Sequence, residues 1–143
     1  MSMTFFQLAK GELKQAQHNY EQCEKRVHGG ADVEESSAAI RALLRLAKAI
    51  IEFAKGNVKE SLSQLKQMVF DNPRCPSDIW FGIGLCYFRL SNLPKAKLSM
   101  DKTLELDPQN SMALTSLGVI ELASNVNDFA AREKSMHLFQ RAF

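Results

Sequence analysis

The sequence predicts an all-α fold, with helix-turn-helix hairpins stacked in series into a right-handed solenoid. Three observations carry this. Strand signals are nearly absent, because Val and Ile fall inside 3.6-residue patterns and not in alternating runs. Breakers separate the periodic segments, and they alternate between very short turns and slightly longer connections that contain proline. Apolar and small residues of one segment then reappear 34 residues later.

Helical periodicity covers residues 3–10, 12–27, 37–54, 58–70, 77–90, 93–106, 110–123 and 129–142. The first segment, with Phe5, Phe6 and Leu8, reads as the end of a first helix, and 12–27 as the complete second helix after it. "HGGADVEESS" at 28–37 interrupts the pattern, so 27–36 reads as a linker. "KGN" at 55–57 is a tight turn between 37–54 and 58–70, and "DNPRCP" at 71–76 closes that pair. In the next pair Ser77 is placed to cap the first helix, with Asp78 in its first turn. "LSNLP" at 90–94 makes the turn, and Pro94 opens the second helix, where its missing N–H costs little. "LDPQN" at 106–110 leads into the last pair.

The recurrence identifies the unit. Trp80, Ile83 and Gly84 return as Leu114, Leu117 and Gly118, a period that matches the helix-turn-helix unit of tetratricopeptide repeats. From Ser77 to Asn110, Trp80, Ile83, Gly84, Tyr87, Ala96 and Pro108 fall on preferred residue types, while Met100 and Thr103 replace the usual aromatic and alanine. Gly84 and Ala96 are small where the helices of a hairpin approach closely. Residues 37–73 keep Leu46, Ala47, Ile50, Leu65 and Pro73, with about two extra residues near Gly56. In the partial repeat 4–26, Gly11, Ala16 and Tyr20 fit, and Cys23 takes the small position. The last unit, 111–143, carries about five extra residues, "SNVND", before Phe139 and Ala142 resume the pattern. Terminal repeats normally turn a polar face outward, whereas "HLFQRAF" is expected to expose Leu138, Phe139 and Phe143. The chain therefore reads as a solenoid truncated at both ends.

Beyond the general repeat pattern, "NPRCP" opening a unit, "GIGLCYFRL" in its first helix, "LELDPQN" closing it and the insertion between "GVIEL" and "LFQRAF" stand together. With "LAKGELKQAQHNYEQC" upstream, this run resembles the tetratricopeptide scaffold subunits of the RNA polymerase II-associated factor complex over most of residues 5–143. The linker "EKRVHGGADVEESSAAIRA" departs from that family by its length. The resemblance implies a nuclear, non-enzymatic scaffold in transcription elongation. It implies the complex's other subunits as partners, the namesake subunit lying along the repeats, and support for histone modification on chromatin.

Composition narrows the function independently. The 143 residues are 45% apolar and 24% charged, a globular balance, with a net charge of +2 from interspersed residues. That field is too weak to point to nucleic acid. The start, "MSMTFFQLAKGELK", lacks a basic region followed by an apolar core, so no signal peptide is expected, and no run is long enough to span a membrane. Cys23, Cys75 and Cys86 have no paired spacing and suit a reducing interior. Scattered His18, His28 and His137 add no metal pattern, so neither metal nor cofactor is expected. Gly82-Ile83-Gly84 follows no strand and has no third glycine; it reads as close packing in a hairpin. Lys95, Lys97 and Lys102 are interrupted by Asp101 and Glu105, which suits a solvated face. No catalytic constellation emerges.

The helix around "DIWFGIGLCYFRL" is apolar on two sides where a surface helix needs one. Trp80, Ile83, Gly84 and Tyr87 form the side expected to pack in the core. Phe81, Leu85 and Phe88 form a second stripe, expected to line the inner groove of the solenoid. Aligned on the repeat, the groove candidates are Leu44, Lys48 and Ile51, then Phe81, Leu85, Phe88 and Arg89, then Val119 and Leu122. Tetratricopeptide modules that clamp a C-terminal carboxylate use lysine, asparagine and arginine at such sites. Phe81 and Leu85 disfavour that here. An apolar groove edged by Lys48 and Arg89 suits an extended or helical segment with apolar anchors and some acidic residues. Three alternatives stay open: the stripe packs against neighbouring repeats, exposed end faces drive homo-oligomerisation, or the chain is a tetratricopeptide adaptor of an unrelated complex.

Overall fold

The computed structural model describes residues 13–28, 34–125 and 127–143, all helices and turns. The helix expected at 3–10 and Gly11 lie outside the described residues, as does the stretch 29–33 of the linker. The seven described helices are α1 (Leu13–His28), α2 (Glu34–Ala54), α3 (Val58–Asp71), α4 (Ser77–Arg89), α5 (Leu93–Leu106), α6 (Ser111–Ser124) and α7 (Phe129–Ala142). Boundaries match the periodicity except at α2, whose first helical residue, Glu34, lies inside the expected linker. The chain forms two compact units, residues 1–71 and 72–143.

In the first unit α1 packs on α2 and α2 on α3. Ala49, Ile51, Val58, Leu62, Leu65 and Met68 are buried. Ser61 donates its hydroxyl to the Ala49 carbonyl at 2.7 Å, a buried bond that records how closely α2 and α3 approach. The turn between them stops α2 in a defined way. Gly56 has a φ of 91°, in the left-handed region, and its N–H donates to the Phe53 carbonyl at 3.1 Å. The Asn57 N–H reaches back to Glu52 at 2.9 Å, which completes a double-bonded helix stop.

The second unit repeats this device with a different residue. At the end of α4, Ser91 takes the left-handed slot with a φ of 60°. Its N–H donates to Phe88 at 3.0 Å and that of Asn92 to Tyr87 at 2.9 Å. Asn92 then caps α5 by accepting from the Lys95 N–H, with Pro94 in the first turn. Asn110 and Asp128 cap α6 and α7 in the same manner. Ser77 does not cap α4. Pro76 holds the cap position without a side-chain bond and Ser77 is already helical; a proline there leaves the serine one place too late to reach back.

Each helix of this unit packs on the next. The core joins Ala96 and Met100 of α5, Ala113, Leu114, Leu117 and Ile120 of α6, and Leu138 of α7. Two glycines set the hairpin seams. A Cβ on Gly84 would lie 2.7 Å from the Met100 methyl, and one on Gly118 would lie 2.6 Å from the Phe139 ring. The inserted residues fall within helices as well as in the turn: α7 begins ten residues before Phe139, whereas α5 begins seven before Met100. The extra three residues add nearly one helical turn at the hairpin's turn edge. Phe129 opens that added turn and is 76% exposed. Leu138 corrects an expectation: it is 6% exposed, because it faces α6 within its own hairpin. Phe139 is half-buried over Gly118, and Phe143 is exposed as expected.

Candidate protein-binding surface

Helical spacing puts Phe81, Leu85 and Phe88 on one stripe of α4, at i, i+4 and i+7. Thr115, Val119 and Leu122 hold the equivalent positions on α6, each 34 residues later. The stripe is graded. Phe81 and Leu85 are half-buried and pack against the core cluster of α5, α6 and α7. Phe88 is 36% exposed and Val119 41%, and Leu122 is half-buried. Arg89 is exposed beside Phe88. Among the groove candidates of this unit, Phe88 and Val119 keep the most exposed apolar side chains, while Phe81 and Leu85 give most of their area to the fold. Of the residues expected to pack in the core on the other side of α4, Ile83 and Gly84 are buried and Trp80 and Tyr87 half-buried.

In the first unit Leu44 is half-buried and Lys48 exposed, but Ile51 is only 3% exposed. As folded, Ile51 offers almost nothing to a ligand. The cause is the position of α2, which packs against both α1 and α3 and so buries a wider arc than a helix with one neighbour. Beside Lys48 lies a cleft between α2 and α3, lined by Arg45, Lys48, Gln64 and Gln67. Arg45 bridges to Asp71 at 2.7 Å, and this hydrogen bond holds the Asp71 carboxyl below its usual range.

Sequence reasoning passed over the most buried charge of the second unit. Glu121, with 8% of its side chain exposed, accepts from Lys97 of α5 at 2.5 Å and from Lys134 of α7 at 3.0 Å. The Lys97 hydrogen bond, helped by Lys134, holds the Glu121 carboxyl below the usual range, and Glu121 in turn raises Lys97. Nearby Asp101 moves the other way: burial raises it, against the pull of Lys97 and Lys134. The available signal was one acidic residue inside the apolar run "GVIELA". The lysines read as a solvated face are each engaged separately. Lys102 bridges to Glu105 at 2.8 Å and Lys95 stands 5.6 Å from the Tyr87 ring centroid.

Cys75 and Cys86 are buried free thiols, Cys75 raised by burial, and Cys23 is exposed. Among the described residues no three His, Cys, Asp or Glu side chains come together to hold a metal ion, and no helix is long and apolar enough to cross a membrane.

Helices packed in chain order within each unit, glycine seams 34 residues apart in the second and shared turn and cap chemistry define a tetratricopeptide-like helical-repeat protein. No protein-family model matches the chain. Among curated proteins it is 40% identical over 98 residues to an Arabidopsis thaliana protein named as a CTR9 homologue, covering 68% of this chain and 9% of that protein. It is 34% identical over 104 residues to tetratricopeptide repeat protein 1 of Schizosaccharomyces pombe, covering 68% of this chain and 10% of the relative. The RNA polymerase-associated protein CTR9 of Caenorhabditis elegans is 28% identical over 98 residues, covering 68% of this chain and 8% of that protein. The chain is a CTR9-like tetratricopeptide-repeat protein. It spans about a tenth of the length of the curated relatives it matches.

Proposed function

We propose that the chain is a non-catalytic protein-binding segment of a nuclear scaffold in an RNA polymerase-associated elongation complex. Its repeats run over 37–73, 77–110 and 111–143. It holds an extended or helical segment of another subunit, in the first place the complex's namesake, and through that assembly supports chromatin transcription and histone modification. The observation that carries this is the exposed pair Phe88 of α4 and Val119 of α6, on the two corresponding stripes, in a chain 40% identical over 98 residues to a CTR9 homologue. Burial of two such side chains at about 25 cal/mol per Å² supplies affinity, less the cost of ordering the partner.

The test replaces Phe88 and Val119 together by aspartate and follows co-purification of the complex's other subunits. Capture should fall at least ~10-fold while far-ultraviolet circular dichroism stays unchanged, since neither residue is core. Capture at the wild-type level removes the groove. A second reading, homo-oligomerisation, is favoured by α7 and the residue after it, where Phe129, Met136 and Phe143 are exposed at seven-residue spacing. Sedimentation velocity over a concentration series decides it: a sedimentation coefficient independent of concentration, at the monomer value, excludes that reading.

A further inference from the structure

We propose that a line of cations on α2, formed by Arg41, Arg45 and Lys48, docks an acidic segment of a partner protein. This surface lies within the first unit and does not rest on the groove of the second. The three residues stand at i, i+4 and i+7, so they share one face of the helix over about 10 Å. All three are exposed. Residues 36–51 of the chain contain no acidic residue, so α2 does not offset this charge over the stretch that carries it.

Two acidic side chains act on Arg45 and Lys48, and both have other bonds. Asp71 accepts from Arg45 at 2.7 Å and from Gln67 at 2.9 Å. Glu52 accepts from Asn57 at 2.8 Å and from Lys55 at 3.2 Å, and it feels Lys48 through its field. Arg41 is engaged within the chain as well. A guanidinium has five donors, so an arginine with an internal partner still has N–H groups for a ligand. Arg45 shows this directly. It reaches Asp71 through Nη1 while 59% of its side chain stays exposed. The bond holds the group in place, which reduces the ordering lost on binding. The cleft beside Arg45 and Lys48 leaves a carboxylate room to approach both.

The line selects an anion, and its surroundings select a protein. Ile40, exposed, and Leu44, half-buried, stand at i and i+4 and run alongside the cations. A phosphodiester backbone offers no apolar group to that strip, and a net charge of +2 is short of the broad basic face that nucleic acid uses. A lipid surface takes the wide apolar face of a helix, and α2 is packed against α1 and α3. A protein segment supplies carboxylates and an apolar side chain together.

The experiment titrates the isotope-labelled 143-residue chain with four probes: a blocked peptide with glutamate at i, i+4 and i+7 and leucine beside them, its glutamine counterpart, oligothymidylate, and phosphatidylserine vesicles. The readout is the shift or broadening of the α2 backbone amides. At low salt the glutamate peptide should bind at least ~10-fold more tightly than the glutamine one, through three exposed ion pairs. The difference should shrink as salt rises. Arg41→Gln combined with Lys48→Gln should weaken the glutamate peptide at least ~5-fold with unchanged helicity. Arg41→Lys combined with Lys48→Arg, which keeps both charges, should retain it. Equal binding of the two peptides, no binding of the glutamate peptide, full binding by the glutamine variant or loss in the charge-keeping one would overturn the proposal. Tighter binding of oligothymidylate or of the vesicles would assign the line to nucleic acid or lipid and overturn it as well. The Phe88 and Val119 variant should bind the glutamate peptide as wild type does, so failure here is distinct from failure of the groove.

Discussion

Gly118→Ala should destabilise the protein although it removes a glycine from a helix interior. On propensity alone the change gains about 1 kcal/mol. In the structure, a Cβ on Gly118 lies 2.6 Å from Phe139 Cε1 and 2.9 Å from Cζ, about 1 Å inside ordinary carbon–carbon contact. The ring cannot bend, so relief requires the whole side chain or α7 to move. Overpacking of this kind costs about 1–3 kcal/mol, and a rigid obstacle belongs at the upper end, which leaves a net loss of about 1–2 kcal/mol. Gly84 is the internal comparison. There the nearest atom, at 2.7 Å, is the terminal methyl of Met100, the far end of a flexible chain. The two contributions at Gly84→Ala should nearly cancel. Urea unfolding followed by far-ultraviolet circular dichroism measures both variants. Adding Phe139→Leu to Gly118→Ala should recover at least ~1 kcal/mol relative to the sum of the single changes. A Gly118→Ala protein more stable than wild type, or strict additivity with Phe139→Leu, would refute the seam.

Glu121→Gln should cost about 1–3 kcal/mol at neutral pH, because two charge-assisted hydrogen bonds lose their acceptor charge. Since the folded carboxyl is depressed, its contribution is present above the ordinary carboxylate range and lost as pH falls through the lowered value. The gap between wild type and variant, measured by thermal unfolding, should therefore close in acid. Asp101, raised by burial, has the opposite sign, so Asp101→Asn should stabilise at neutral pH and not in acid; a loss at neutral pH contradicts this. Ser91→Gly should stabilise by about 0.5–1 kcal/mol, because the left-handed slot at φ 60° costs an L side chain what glycine does not bear. A lower melting temperature for that variant would show that the hydroxyl has a role the backbone does not reveal.

Helix positions were legible in the sequence because their ends are written in residues with unusual backbones: Gly56, Pro94, and the asparagines that double as stops and caps. The 34-residue recurrence of glycine fixed the hairpin seams for the same reason, as a missing Cβ is a geometric statement. What could not be read was how much of each stripe a neighbour covers. Phe81 and Leu85 lie on the expected face and yet pack on the core, Ile51 is covered because α2 has neighbours on two sides, and Leu138 is shielded by α6. All three depend on contacts between helices, which periodicity within one helix does not encode. Glu121 was missed likewise: its partners, Lys97 and Lys134, lie on two other helices, and each alone reads as an ordinary surface lysine.

The offset of α7 against α5 bears on how this chain tolerates changes in length. Each residue added inside an α-helix rotates everything beyond it by about 100°, so an arbitrary insertion would swing Phe139 away from Gly118. Three residues bring the azimuth back to within about 60° of where it started, and four to within about 40°. Growth or trimming at that edge should thus be quantised, with steps of three or four residues accepted and single steps either rejected or relegated to the loop.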